Sequence, residues 1–142
     1  MKEKLNCILL IDDDEATNFV NTMLLEKASC AHEIKAVTSG KEALTFLKSI
    51  DAHGNHPQPD VIFLDINMPL MNGWEFIEEY RKLLPEQRGK VVVWMLSTSN
   101  NLDDKERAEK LGSDGFMAKP LTIDKLMGVI QKHFQKLYES WQ

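Results

Sequence analysis

The chain has 142 residues, of which 43% are apolar and 27% charged, and its net charge is −5. This length fits one domain covering residues 1–142, and this composition is typical of a folded soluble protein rather than a disordered one. The negative charge and the dispersed basic residues disfavour direct binding to nucleic acid, and every apolar run is far shorter than the ~20 residues of a membrane span.

Apolar periodicity predicts five alternations of strand and helix along the chain. The predicted strands are residues 6–12, 33–37, 60–65, 90–96 and 115–118. The predicted helices are residues 14–28, a second that opens at residue 39, then 73–84, 102–111 and a fifth that starts at residue 122. Strict alternation indicates an α/β fold with a doubly wound parallel sheet and helices on both faces.

The composition of the strands indicates their order in the sheet. Strands one, three and four are continuously apolar, as central strands covered on both faces must be. Strand two alternates between apolar and polar residues and strand five is short, so both suit the edges. Among the common doubly wound sheets, the order 2-1-3-4-5 places these two strands outside. We therefore predict a five-stranded, flavodoxin-like α/β/α fold of three layers.

The helices carry apolar faces that we expect to pack against the sheet. On helix one this face consists of Ala16, Phe19, Val20, Met23, Leu24 and Ala28. Helix two is expected to open with a capping box formed by Ser39 and Glu42. Its expected buried residues are Ala43, Leu44, Leu47 and Ile50.

The last helix is predicted to be longer than the others. Its apolar stripe continues from Ile123 to Trp141, about five turns, which predicts one helix that runs past the sheet. We expect the domain core to cover residues 5 to about 135 and residues 135–142 to form a helical extension, with a frayed tail as the alternative.

Polar and charged side chains follow four of the five predicted strands. Asp12, Asp13 and Asp14 stand at the end of strand one, and Asp65 ends strand three. Ser97 follows strand four, and Lys119 follows strand five. The carboxyl ends of parallel strands share one edge of the sheet, and strands one and three are predicted neighbours. Asp12 or Asp13 should therefore converge with Asp65.

Crowded carboxylates raise one another's pKa unless a cation neutralises them. A ligand set of oxygen atoms without His or Cys suits a hard ion such as Mg²⁺. Lys119 and Ser97 then provide a positive charge and a hydroxyl donor opposite the metal. A carboxylate in these surroundings is a candidate phosphoryl acceptor.

Four short motifs occur in order along the chain: DD at residues 12–13, LDINMPLMNG at 64–73, LS at 96–97 and KP at 119–120. With these motifs the chain resembles a stand-alone response-regulator receiver domain, the family that includes the chemotaxis regulator. The resemblance covers residues 5 to about 135, which is nearly the whole chain.

The resemblance implies a role for each residue at this edge of the sheet. Asp65 would be the residue that is phosphorylated. Asp13 and Asp65 would bind Mg²⁺ through their side chains, with the backbone carbonyl of Asn67 as a third ligand. Asp12 would act on the metal through a water molecule, and no organic cofactor is implied.

The resemblance also implies how phosphorylation is sensed. Lys119 would pair with the phosphoryl group, and Ser97 would move to donate a hydrogen bond to it. Phe116 matches the aromatic switch position on strand five, but it lacks the hydroxyl with which a tyrosine would bond on the output face. The peptide bond between Lys119 and Pro120 is expected to be cis.

The expected function is that of a two-component receiver phosphorylated by a sensor histidine kinase. Helix four, strand five and helix five would then bind a protein target, because no DNA-binding or enzymatic output domain is evident. A phosphorelay intermediate that exchanges phosphate with a histidine phosphotransfer protein is the alternative, and a homodimer is a further option. Two cysteines only, Cys7 and Cys30, and an N-terminus without an apolar signal segment indicate the reducing cytoplasm.

Two other function classes fit less well. A haloacid-dehalogenase phosphatase also uses an aspartate nucleophile with Mg²⁺, but it needs a second aspartate two residues later, where this chain has Asn67. A flavin-binding module needs a phosphate loop rich in Ser, Thr or Gly after strand one, where the acidic residues would repel phosphate. We expect no enzymatic activity beyond the chain's own phosphoryl uptake and loss.

Overall fold

The computed structural model describes residues 3–98 and 102–142. Its strands are β1 (Leu5–Ile11), β2 (Ala31–Val37), β3 (Val61–Asp65), β4 (Val92–Ser97) and β5 (Gly115–Ala118). Its helices are α1 (Glu15–Ala28), α2 (Gly40–Lys48), α3 (Gly73–Arg81), α4 (Pro85–Arg88), α5 (Leu102–Lys110), α6 (Ile123–His133) and α7 (Gln135–Ser140). The predicted fourth and fifth helices are therefore α5 and α6, since the one-turn helix α4 was not predicted.

All strand pairs are parallel, and the strand order is β2-β1-β3-β4-β5. The predicted fold class and sheet order are confirmed. All five residues of β3 are buried, because this strand lies at the centre of the sheet with helices on both faces. Within the described part of the chain, no helix is long and apolar enough to cross a membrane.

Two apolar clusters cover the two faces of the sheet. One contains Leu9, Ile62 and Met95 and receives side chains from α2, α3 and α5. The other contains Leu10 and Phe63 and receives side chains from α1 and α6. Adjacent residues of β1 and β3 thus belong to opposite clusters, as the alternation of side chains along a strand requires.

Helix α1 buries a different face from the one predicted. Phe19, Val20 and Met23 are 66%, 60% and 55% exposed, whereas Asn18 and Asn21 are each only 5% exposed. The prediction is wrong for these three residues and for Ala16, whereas Leu24 and Ala28 are partly buried against the core as predicted. Asn18, which makes hydrogen bonds to the ends of two strands, lies on the side of the helix that faces the sheet. Leu25, on the same side as the asparagines, packs against the sheet.

Helix α2 agrees with its prediction only in part. The Ser39 hydroxyl accepts a hydrogen bond from the Glu42 N–H at 3.1 Å, but the Glu42 carboxylate accepts from the Thr38 N–H at 3.2 Å and not from that of Ser39. The predicted burial of Ile50 is wrong, because the helix ends at Lys48 and the Ile50 side chain is 64% exposed.

The predicted single C-terminal helix is also wrong. Helix α6 ends at His133, and Phe134 has a non-helical backbone with φ −134° and ψ 57°. Helix α7 then packs against the cluster shared by α1 and α6, through Leu137 and Tyr138 among others. The Trp141 indole N–H donates a hydrogen bond of 2.8 Å to the carbonyl of Glu3, so this segment lies beside the start of β1.

Candidate functional site

Three carboxylates meet at the carboxyl edge of the sheet. One oxygen atom each from Asp12, Asp13 and Asp65 lies within 4.8 Å of the other two. The strands bring them together because β1 and β3 are adjacent, with Ile11 opposite Leu64. Asp12 and Asp65 are each 4% exposed, whereas Asp13 is exposed to solvent. The cluster therefore has a buried base and one side open to solvent.

Asp65 ends a strand that is otherwise apolar, and its own side chain is buried, which changes the pKa of its carboxyl group. Burial raises the pKa of the Asp65 carboxyl and the negative charge of Asp12 adds to this effect, so that the pKa is about 6. The positive charge of Lys119 opposes this change. Asp65 is thus mostly ionised at neutral pH, although it gains a proton more readily than an exposed aspartate.

Lys119 is the cation of the site. Its Nζ atom lies 2.7 Å from Asp12 Oδ2 and 3.2 Å from Asp65 Oδ1. Burial alone would lower the pKa of Lys119, but the hydrogen bond with Asp12 and the charges of Asp65 and Asp12 outweigh it and raise the pKa. The Lys119–Pro120 peptide bond is cis, and the Lys119 N–H donates to the carbonyl of Ser97 at 2.7 Å.

The turn after β1 holds its acidic residues in different ways. Asp12 Oδ1 accepts a hydrogen bond from the Asp14 N–H at 2.9 Å, so both Asp12 oxygens are engaged. Asp14 caps α1 instead of joining the cluster, since its carboxylate accepts from the Ala16 N–H and the Thr17 hydroxyl at 3.1 and 2.8 Å. Asp13 remains as the exposed carboxylate beside Asp65.

The loop after β3 returns the chain closely to Asp65. The Gly73 N–H donates to the carbonyl of Ile66 at 2.8 Å, and a Cβ at Gly73 would lie 2.7 Å from the carbonyl oxygen of Asp65. Only glycine fits there, which explains the last residue of the LDINMPLMNG motif. Asn67 lies in this loop with an exposed side chain, two residues after Asp65.

The two predicted switch residues lie on neighbouring strands. Ser97 ends β4, is 2% exposed and pairs with Ala118 in the sheet register. Phe116 lies in β5 opposite Met95 and is half-buried. A cavity of about 320 Å³ between β4, β5, α5 and α6 is lined in part by Phe116 and Trp94. Ser97 therefore lies at the same edge of the sheet as the acidic cluster, and Phe116 lies beside the cavity near the surface formed by α5 and α6.

Asn18 is a polar residue of this region that the sequence pattern did not select. The prediction for this helix was based on its apolar residues. The one feature of the sequence that could have drawn attention to Asn18 is that it is polar. In the structure its side-chain amide contacts the carbonyls of Asp12 and Val37 at 2.9 and 3.0 Å.

The donor set fits a hard divalent cation. The cluster offers carboxylate oxygens only, the ligand type that Mg²⁺ prefers in proteins. Among the described residues, the Lys119 ammonium is the one cation paired with these carboxylates. It balances only part of their negative charge, so a divalent cation would complete the charge balance.

Comparison with known proteins agrees with this arrangement. The family model described as response regulator receiver domain matches residues 8–131, which is most of the chain. The chain belongs to this family. Receiver domains of two-component response regulators accept phosphate from histidine kinases and generally bind Mg²⁺ at an acidic pocket.

Individual relatives of this receiver domain show the same relationship. The response regulator Rcp1 of Synechocystis is 30% identical, over 87% of this chain and 83% of the relative. The nitrate/nitrite response regulator NarL of Escherichia coli is 30% identical over 88% of this chain, but the match spans only 53% of that longer protein.

Solved structures superpose over nearly the whole receiver domain. A two-component response regulator from Cytophaga hutchinsonii has a TM-score of 0.82 and 36% identity, covering 94% of this chain and 99% of the other. The chemotaxis protein CheY4 of Vibrio cholerae has a TM-score of 0.73 and 26% identity, covering 91% and 98%.

Proposed function

We propose that Asp65 of this receiver domain takes a phosphoryl group from a histidine kinase and that the phosphorylated domain binds a protein target. The observation that supports this most is the Lys119 ammonium, which contacts Asp65 at 3.2 Å beside two further carboxylates. A buried carboxylate held by a cation at an otherwise acidic edge suits phosphoryl transfer, where positioning and charge neutralisation dominate.

The transfer forms a bond between phosphorus and an oxygen of Asp65 and breaks the bond between phosphorus and the donor's imidazole nitrogen, which keeps the electron pair. Asp65 must be ionised to attack, and a pKa of about 6 leaves it mostly ionised at neutral pH. Lys119, which already contacts Asp65, would pair with the oxygens of the transferred group.

The metal ligands of this proposal are Asp13 and Asp65 through their side chains and Asn67 through its backbone carbonyl. Asp12 would act through water, which accords with the engagement of both its oxygens by Asp14 and Lys119. When bound, Mg²⁺ would neutralise the negative charge that accumulates around the transferred group. No organic cofactor is needed.

Exposed apolar residues beside the site support a protein as phosphoryl donor. Phe19, Val20 and Met23 form a stripe along α1, with spacings that place them on one side of the helix. Val20 also lines a groove of about 300 Å³ that extends to Lys119 and Pro120. A helix of the donor packed on this stripe would bring its phosphohistidine to Asp65.

The output surface of the proposal is formed by α5, β5 and α6. Phe116 is half-buried at this surface and lines its cavity together with Lys105 and Lys132. A change in the position of its ring would therefore change the shape of this cavity. We propose no catalytic activity on other substrates. The alternative role as phosphorelay intermediate uses the same site chemistry, and phosphotransfer assays against histidine phosphotransfer proteins would distinguish it.

Mass spectrometry after incubation with acetyl phosphate and Mg²⁺ tests the proposal. The wild type should gain one phosphoryl group, and Asp65→Asn should gain none. Asp14→Asn is the matched control, because Asp14 belongs to the same acidic turn but only caps α1, and it should be labelled like the wild type. Full labelling of Asp65→Asn would contradict the assignment.

A further inference from the structure

We propose that Asn18 is a positioning residue that holds the acidic turn in the orientation needed for metal binding. This inference rests on the proposed function, because the metal site belongs to it. Asn18 lies near the start of α1 and is 5% exposed, and its described hydrogen bonds go to backbone carbonyls and not to the carboxylate of a predicted metal ligand. Its effect would therefore pass through the backbone.

The Asn18 amide joins the ends of two adjacent strands. Its Nδ2 atom donates to the carbonyl of Asp12 at 2.9 Å and to the carbonyl of Val37 at 3.0 Å. The Val37 carbonyl also accepts from the Asp12 N–H at 3.2 Å. One side chain thus ties the end of β1, the end of β2 and the start of α1 together.

The bond to Asp12 sets the direction of the next residue. The carbonyl of Asp12 belongs to the peptide that links it to Asp13, and the rotation of this peptide decides where the Asp13 carboxylate points. Asp13 lies outside every strand and helix and is exposed, so its position depends strongly on the orientation of this peptide. Asp12 is held separately by Lys119 at 2.7 Å. Loss of the Asn18 amide should therefore displace Asp13 more than Asp12.

Fold stability alone does not explain asparagine at this position. Asn18 Oδ1 is buried and has no hydrogen-bond partner among the described residues, and a buried oxygen without one opposes folding. Leu25, on the same side of α1, is fully buried and shows that an apolar residue is accommodated on this face. What the asparagine adds is two donor hydrogens at the strand ends.

The test compares Asn18→Leu with Asn21→Leu. Asn21 lies on the same helix with the same 5% exposure, but it makes none of the described hydrogen bonds to the strand ends. Leucine keeps the branched shape and removes the donors. Mg²⁺ affinity would be measured by calorimetry, and unfolding by urea in metal-free buffer would report stability separately.

Asn18→Leu should weaken Mg²⁺ binding by about 10-fold or more, as loss of a residue that orients a metal ligand commonly does. Asn21→Leu should change it by less than about 2-fold, and both should unfold cooperatively without metal. Asn18→Ala provides a second variant if leucine prevents folding, and it should weaken binding to the same degree.

Equal Mg²⁺ affinity of the Asn18 and Asn21 variants would overturn the role of Asn18 while leaving the proposed function intact, provided that the wild type binds Mg²⁺ and is labelled. A wild type that neither binds Mg²⁺ nor accepts phosphate would overturn both. Weakened binding confined to the Asn18 variants would support the positioning role.

Discussion

Lys119 Nζ lies 3.2 Å from Asp65 Oδ1, although β4 separates their two strands in the sheet. The lysine side chain spans this gap from the turn after β5 and also reaches Asp12 at 2.7 Å. One ammonium group therefore contacts carboxylates from two strands. This contact keeps two buried negative charges together without a metal, and it places a cation where a phosphoryl group on Asp65 would need one.

Metal-free protein should lose stability as the pH rises through the pKa of Asp65. The folded-state pKa of about 6 lies above the ordinary value of 3.8, so folding favours the protonated form. The associated stability is full below the ordinary value and is lost as pH passes the folded value. Asp65→Asn cannot ionise, so its advantage over wild type should grow to at most about 3 kcal/mol by neutral pH.

Urea unfolding of both proteins in a chelator, between about pH 4 and pH 8, measures this difference. Asp51→Asn is the control, because Asp51 is exposed and its pKa is lowered by backbone hydrogen bonds. A difference between wild type and Asp65→Asn that does not change with pH would contradict the raised pKa.

Asp13→Ala should weaken Mg²⁺ binding and slow labelling by acetyl phosphate, because Asp13 is the exposed carboxylate of the cluster. Removal of a direct carboxylate ligand should cost at least about 10-fold in affinity. Calorimetric titration with Mg²⁺ measures the affinity, and Asp14→Ala, which removes only a helix cap, serves as control. An unchanged titration for Asp13→Ala would remove this residue from the ligand set.

Ser97→Ala should still accept phosphate, more slowly, but lose most of the phosphorylation-dependent change at Phe116. A hydrogen bond to a charged group contributes about 1.5–3 kcal/mol, a roughly 10- to 150-fold shift between two conformations. NMR shifts on adding beryllofluoride and Mg²⁺ would report the change, and Phe116→Tyr should leave labelling nearly unaffected. Equal shifts at Phe116 in wild type and Ser97→Ala would show that Ser97 does not transmit the signal.

Deletion of residues 138–142 should destabilise the fold, because Tyr138 and Trp141 pack against the cluster shared by α1 and α6. The loss should be about 1–3 kcal/mol, the range for one or two partly buried aromatic side chains. Labelling of Asp65 should persist. Trp141→Phe, which removes the indole N–H bonded to Glu3 and part of the ring but keeps an aromatic side chain, should cost less than the deletion. Unchanged urea unfolding after deletion would mean that the packing of α7 adds nothing.

The sequence alone was sufficient for the sheet order and for the residues at its carboxyl edge. A continuously apolar strand must be shielded from water on both faces of the sheet, so β1, β3 and β4 were predicted to be central, as they are. Once that order is set, parallel strands bring Asp12, Asp65 and Lys119 to one edge without further information. These results depend on patterns within each segment and on the rules of parallel sheets.

Only the tertiary structure decided the orientation of α1 and the end of α6. Helix α1 buries Asn18, Asn21 and Leu25, and one of the hydrogen bonds of Asn18 goes to a carbonyl 19 residues away. The C-terminal segment breaks at Phe134 and docks through Trp141 on Glu3, 138 residues away in the chain. Apolar periodicity describes one helix at a time, and a polar side chain that finds its partners on another element can outweigh that pattern.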